Sequence, residues 1–184
     1  MKYLFLICLF LGTGIVLNGQ SSHKLKRQAD QSYKKGDFQN SEEAYRKAQI
    51  DKKSNNGTFN LGNSIYQQER FEEAAKQFED IANSTNASNS DRSDAYHNLG
   101  NTYFNMQQFD KSVDSFKESL KLDPTDMDTK YNLAQALRQL KIQQQEQQQN
   151  QQQEEEEQEE QEQQDEQQQQ QDQDPQQQQH EEKQ

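Results

Sequence analysis

The stretch FNLGNSIYQQERFEEA, beginning at Phe59, is answered 38 positions later by HNLGNTYFNMQQFDKS at His97, with the apolar letters kept and the charges changed. In the first copy Leu61 and Ile65 are followed by Phe71, Ala74, Phe78 and Ile81; in the second, Leu99 and Tyr103 are followed by Phe109, Ser112 and Phe116. Steps of three and four residues put each set on one stripe of an α-helix, so each copy predicts two amphipathic helices. Leu25, Ala29 and Tyr33, then Phe38, Ser41, Tyr45 and Ala48, make an earlier pair. Tyr131, Leu133, Ala134 and Leu137 begin a later one that runs out into glutamine. Between the first two stripes, Lys34-Lys35-Gly36-Asp37 predicts a turn with its glycine at the left-handed position after a helix. A small residue recurs in the first helix of every pair, at Ala29, Gly62, Gly100 and Ala134, in steps of 33, 38 and 34. It lets the second helix cross close to the first, where a larger side chain would push the axes beyond about 8–10 Å.

Those steps resemble the tetratricopeptide repeat, a helix-turn-helix unit with a period of about 34 residues. The resemblance implies an all-α solenoid of three repeats, at about residues 22–54, 55–88 and 93–126, closed by a capping helix at 127–142. Asp123-Pro124 ends one helix where proline cannot continue it, and Asp126 offers an N-cap to the next. The additional residues of the 38-residue step fall in NSTNASNSDRSD, residues 83–94, which predicts an enlarged loop between the second and third hairpins.

Only 28% of the chain is hydrophobic, and the deficit is local. Residues 143–184 hold 11 Glu, 3 Asp and one Lys, a net of -13, so the other 142 residues carry -12 + 13 = +1. A nearly neutral domain with an acidic tail lacks the cations that nucleic acid or an anionic membrane surface requires. The tail has no aromatic residue and cannot bury the surface that offsets chain entropy, so disorder is expected past about Asn150. Gln and Glu are nevertheless good helix formers, and no Gly or Pro lies between Pro124 and Pro175. The capping helix should therefore run some way into the tail and fray in the Glu-rich residues 154–160. Such a segment serves as a solvating acidic brush or as a partner-binding or coiled-coil element. At the other end, Lys2 precedes an apolar run at residues 3–17 and the small Gly19, which predicts a signal peptide over 1–19 and export to the periplasm. The run is shorter than the roughly 20 residues of an uncleaved membrane anchor, so no span is expected after cleavage. Cys8 lies inside it, leaving the mature chain without cysteine.

No catalytic constellation is present in the sequence. His23, His97 and His180 stand alone, there is no Gly-rich phosphate loop, and DPTDMD at residues 123–128 lacks the glycine and distal Glu of a calcium loop. The expectation is therefore a non-enzymatic protein without cofactor or metal. In stacked hairpins the first helices line a concave surface. In the tetratricopeptide family the inward positions are the second, fifth, ninth and twelfth of each repeat. From these the candidate partner groove is Lys26 and Tyr33; Phe59, Asn63 and Tyr66; His97, Asn101 and Phe104; and Tyr131, Gln135 and Arg138 on the cap. Asparagine both donates to and accepts from a peptide backbone, and aromatic rings supply apolar contact at low entropy cost. Phe59 and Tyr66 stand equally as inter-repeat core. Family members that clamp a C-terminal carboxylate use basic and amide residues at set positions. Here Lys26 and Asn60 match, while Asp30, Asp94 and Asn98 stand where an amide and two basic residues are needed, which argues against a clamp.

The order of parts is similar to one group within the family. ADQSYKKGDF and YRKA in the first repeat, then FNLGN, HNLGN and the YNLAQALRQL cap running into a Gln/Glu tail, resemble the BatC-type tetratricopeptide proteins of bacterial aerotolerance operons. That resemblance implies a periplasmic assembly partner of membrane-anchored von Willebrand factor A-type proteins. The alternative is a self-associating structural scaffold, a homo-oligomer kept soluble by its acidic tail.

Overall fold

Four of the seven helices among the described residues begin where a side chain takes up backbone N–H groups left free in the first turn, and the other three, after Ser21, Arg70 and Gln108, begin without such a cap. Asp37 accepts from Asn40 N at 3.3 Å, Ser54 from Gly57 N at 3.2 Å, Ser88 from Asp91 N at 3.0 Å, and Asp126 from Asp128 N at 2.9 Å and Thr129 N at 3.1 Å. The computed structural model describes residues 21–181, so the expected signal peptide at 1–19 lies outside the described residues. Those residues form α1 (Ser22–Lys34), α2 (Phe38–Asp51), α3 (Asn55–Tyr66), α4 (Phe71–Ala82), α5 (Asn89–Asn105), α6 (Phe109–Leu122) and α7 (Met127–Glu181). None of these helices is long and apolar enough to cross a membrane.

Each helix packs on the one before and the one after, and α5 also touches α3 and α7, so the hairpins α1/α2, α3/α4 and α5/α6 stack in a row with α7 against the last. The turn inside every hairpin is the same. Gly36 (φ 76°), Glu69 (φ 59°) and Gln107 (φ 57°) take the left-handed conformation. The next residue then closes a six-to-one bond: Asp37 N to Ser32 O, Arg70 N to Ile65 O and Gln108 N to Tyr103 O. A methyl group added to Gly62 would lie 2.8 Å from Phe78 Cε1, and one added to Gly100 would lie 2.6 Å from Phe116 Cδ1. Both rings are fully buried, so the small residues are what let the paired helices close. Ala29 is likewise buried, but Ala134 is exposed because α7 has no second helix to cover it. The core runs through the stack as three clusters, the last of them Val113, Phe116 and Ala136 with Phe104, Leu133 and Leu140 packed on it.

Two expectations differ from the structure. The loop expected over 83–94 ends at Ser88: residues 89–94 are helical and lengthen α5 to 17 residues. A capping box causes this, with Asp91 N donating to Ser88 Oγ and Ser88 N donating to Asp91 Oδ2 at 3.3 Å. In the tail, where disorder was expected past about Asn150, the backbone continues as helix to Glu181, 55 residues from Met127. The difference is one of backbone and not of packing. Gln143 donates to Gln107 O at 3.4 Å, and every described side chain from residue 144 to 158 is exposed. Helix propensity without a Gly or a Pro to stop it carries the backbone on past the last apolar contact.

Candidate interaction groove

The first helices of successive hairpins present their polar faces on one side of the stack. Asp30, Tyr33, Lys34, Tyr45, Asn60 and Asn63 line a cavity of about 240 Å³. Next to it, Tyr33, Asn63, Tyr66, Gln67, Phe78, Asn98 and Asn101 line one of about 260 Å³. Tyr33 and Asn63 belong to both, so the two are parts of one trough from α1 to α5.

Of the residues expected to form the groove, Tyr33, Asn63, Tyr66 and Asn101 come together in this trough. Tyr33 and Tyr66 are fixed edge-on against Phe38 and Phe71, with ring centroids 5.3 and 5.4 Å apart. Burial pushes the Tyr66 phenol above its usual range, against a smaller opposing effect of the hydrogen bond from Asn105 Nδ2 at 2.6 Å. Tyr45 closes the floor. Its hydroxyl donates to Asp30 Oδ1, and burial first, then that carboxylate, hold its proton well above the ordinary phenol range. Tyr131 and Gln135 stand 34 residues after His97 and Asn101 and hold the same places on α7, joined by a 2.9 Å bond from Gln135 Nε2 to the Tyr131 hydroxyl. Arg138 is exposed on the same helix.

The other expected groove residues have structural partners. Lys26 Nζ donates to Ser54 Oγ at 2.8 Å and so ties α1 to the cap of α3. Phe59 packs against two of the core clusters and lies edge-on to Phe78 at 5.8 Å. Phe104 joins the third cluster and sits edge-on to Phe109. The His97 ring sits edge-on to Phe116 with centroids 5.9 Å apart, and its Nδ1 is 2.5 Å from Thr129 Oγ1, which ties α5 to the start of α7.

Asn98 and Asn132 were missing from the expected set. Asn98 Nδ2 donates to Asn63 Oδ1 at 3.0 Å, and Asn132 Nδ2 donates to Asn101 Oδ1 at 2.9 Å. Their signal was present as the first asparagine of FNLGN, HNLGN and YNLAQ, which recurs as regularly as the second position. At the edge of the trough, Asp91 and Asp94 face Asn55, Asn56 and Asn60 across a cavity of about 170 Å³. Burial, and then Asp91, push the Asp94 carboxyl above its usual range. Lys34 is the one cation among the residues lining these cavities and stands with Asp30, Asp91 and Asp94, so the trough offers no cluster of cations. Its chemistry is that of amides and phenols. Among the described residues no group of three or more His, Cys, Asp or Glu is placed to hold a metal.

Family models described as Tetratricopeptide repeat match residues 27–90 and 93–126, together 98 of the 184 residues. No curated protein sequence matches the chain. Among solved structures, the chain is similar to the TPR2AB domain of yeast Sti1 in a complex with pHSP90, at 22% identity and a TM-score of 0.60, over 66% of this chain and 48% of that one. It thus spans about half the length of that structure. A structure from Pseudomonas aeruginosa pilF gives a TM-score of 0.61 at 22% identity, covering 68% of this chain and 56% of that one. The first TPR domain of human RPAP3 gives 0.60 at 15% identity, over 68% and 96%. At these identities the likeness concerns the fold.

Proposed function

The chain belongs to the tetratricopeptide repeat family, and on that premise we propose that it is a non-enzymatic adaptor whose concave trough binds a protein partner at the bacterial cell envelope. Tetratricopeptide domains are in general modules for protein–protein interaction. The observation that carries the reading is the trough itself, walled by Tyr33, Asn63, Tyr66, Asn98 and Asn101. Two further features support the location and the partner: the signal-peptide pattern at residues 1–19, and the order of repeats, cap and Gln/Glu tail, which resembles the BatC-type proteins. On this reading the chain assembles with membrane-anchored von Willebrand factor A-type proteins linked to aerotolerance. An acidic peptide is not the proposed ligand, since Asp30 and Asp94 would repel it.

A photo-crosslinking side chain placed at Asn63, Tyr66 or Asn101 in intact cells tests the proposal. Capture of a von Willebrand factor A-type membrane protein from these positions, and not from the exposed Lys117, is expected. Capture of no protein, or of the same set from Lys117, would remove it.

One observation favours a second reading, a self-associating scaffold. Met127, Tyr131 and Leu137 on α7 are 69%, 65% and 46% exposed. Sedimentation over a range of concentrations separates the two, since the adaptor alone stays monomeric, while a scaffold would associate and be dispersed by Leu137→Gln.

A further inference from the structure

The cavity between α1 and α3 is built around one carboxylate. Tyr45, only 2% exposed, donates its hydroxyl hydrogen to Asp30 Oδ1, and Asn60 supplies a hydrogen bond to the same hydroxyl oxygen. A phenol has one hydrogen to give, so with that hydrogen on Asp30 the amide of Asn60 turns its N–H toward Tyr45. What the network leaves over is Asp30 Oδ2 and Asn60 Oδ1, two acceptors without a partner among the described residues. Two acceptors that share a negative charge call for a group that is cationic and donates only. Tyr33, half-buried beside them, offers a ring face to an aliphatic stem and its charged end. The surrounding charges agree with this. On the second helices Glu42, Glu43, Glu73, Asp80, Asp114 and Glu118 each pair with a lysine or arginine, at 2.5–3.9 Å. Along the trough Asp30, Asp91 and Asp94 have no such partner among the described residues, and Asn60 lines both of the cavities that hold them. Lys34 lies in the last turn of α1, where the negative end of the helix dipole attracts it.

We propose that this cavity receives a lysine or arginine side chain of the partner, so that the trough selects a basic segment. The inference rests on the groove reading above and names the chemistry of the ligand. A volume of about 240 Å³ is below the roughly 300–1,000 Å³ of small-molecule sites and suits one long side chain. Its stem lies along Tyr33, and its charged head meets Asp30 Oδ2 and Asn60 Oδ1 in hydrogen bonds strengthened by charge on both sides. A carboxylate finds no donor at these two oxygens, and a neutral amide leaves the charge of Asp30 unbalanced. Asp91 and Asp94 extend the same preference to neighbouring residues of the segment. Burial and Asp91 already oppose the charge on Asp94, and a cation beside it relieves both. The C-terminal tail, with its net charge of -13, is repelled by these carboxylates and draws a basic partner toward the protein.

The test uses the full mature chain and a library of random 12-residue peptides displayed between constant flanks. Binders are selected on the wild type and counter-selected on the Asn63→Ala/Asn101→Ala double variant, whose helical circular dichroism and melting are checked first. The groove-dependent peptides are then made with blocked ends and titrated against the wild type, Asp30→Asn and Asp114→Asn. Asp30→Asn keeps the shape and the bond from Tyr45 but removes the charge, while Asp114→Asn removes the same charge from a site on α6 whose side chain is 79% exposed. The selected peptides should share a lysine or arginine. Replacing it by norleucine or citrulline should weaken binding to the wild type about tenfold and to Asp30→Asn very little, with Asp114→Asn behaving as the wild type. The replacement in the peptide reads the charge on an unaltered protein, so the result does not depend on how well Asp30→Asn folds. Groove-dependent peptides that share no basic residue, or that lose nothing on its replacement, would overturn the basic ligand and leave the groove standing. A basic preference seen only in Lys34→Gln would mean that the protein's own lysine fills the cavity, and would overturn it as well. A library that yields no groove-dependent binder would overturn both.

Discussion

At the scale of single residues the hairpins depend on what is missing at Gly62 and Gly100. The Phe116 ring is fully buried and cannot swing away from a Cβ built 2.6 Å from it, so Gly100→Ala should lower the unfolding free energy by about 1–3 kcal/mol. Pairing it with Phe116→Leu should recover part of that loss, and a double-mutant cycle in urea reads the coupling. The left-handed turn positions carry the opposite opportunity. Glu69 and Gln107 hold a conformation that disfavours a side chain, and Gly36 holds the same conformation with no side chain to disfavour it. Glu69→Gly or Gln107→Gly should therefore raise stability by about 0.5–1 kcal/mol, visible as a higher urea midpoint. The turn at Gly36 was legible in the sequence because glycine announces it. The turns at Glu69 and Gln107 share its geometry but not its residue, so only their spacing betrays them. The same limit applied to the groove. The recurrence of Asn63 and Asn101 could be read directly, but that Asn98 and Asn132 reach back to them depends on how far one hairpin is offset against the next. Phe59, His97 and Phe104 were drawn from inward-facing positions, and long side chains there can fold sideways into the junctions.

At the scale of elements, α2 is tied to the following hairpin through a buried carboxylate. Glu42 accepts from Arg46 Nε at 2.8 Å, Gln68 Nε2 at 2.8 Å and Arg70 Nη1 at 2.6 Å, while Arg70 also holds Glu73 at 2.6 Å. Burial raises the Glu42 pKa, but the three hydrogen bonds outweigh it and leave the carboxyl below its ordinary value of 4.5. A depressed folded pKa means that the stabilisation is fully present above that ordinary value and is lost as pH falls through the lower, folded one. Glu42→Gln should thus be clearly less stable than the wild type at pH 7, and the gap between their urea midpoints should narrow as the pH falls below 4.5. A gap of constant size would mean that packing, not charge, is what Glu42 supplies. None of this was visible from periodicity, since Arg70 lies in a turn 28 residues from Glu42 and meets it only across the stack. The start of α5 was missed for a related reason. NSTNASNSDRSD has no apolar stripe, and its helical half rests on the local reciprocity of Ser88 and Asp91. Ser88→Ala should cost about 1 kcal/mol and fray the first turn of α5, measurable by hydrogen exchange of its amides.

At the scale of the whole molecule, stability and charge are carried by different parts of one helix. The first four turns of α7 supply Leu133, Ala136 and Leu140, which cover Val113 and Phe116 and close the open end of the stack. After Gln143 the helix touches nothing else among the described side chains, although residues 143–184 carry a net charge of -13 against +1 for the rest. In a stacked array each unit is stabilised through its contacts with neighbours, so losing a terminal unit matters only as far as its interface extends. Two truncations should therefore behave in opposite ways. Ending the chain after Gln143 should leave the melting temperature within about 2 °C of the full chain, because a shift of that size corresponds to well under 1 kcal/mol for a domain of this length. Elution from an anion exchanger should move sharply to lower salt. Ending it after Pro124 exposes the cluster around Phe116 and removes the Asn101–Asn132 pair and the His97–Thr129 contact together. That chain should melt well below the other and without a sharp transition. Were the Gln143 truncation to melt as low as the Pro124 one, the tail would have to pack on the domain, and the division of α7 into a structural half and a charged half would be wrong.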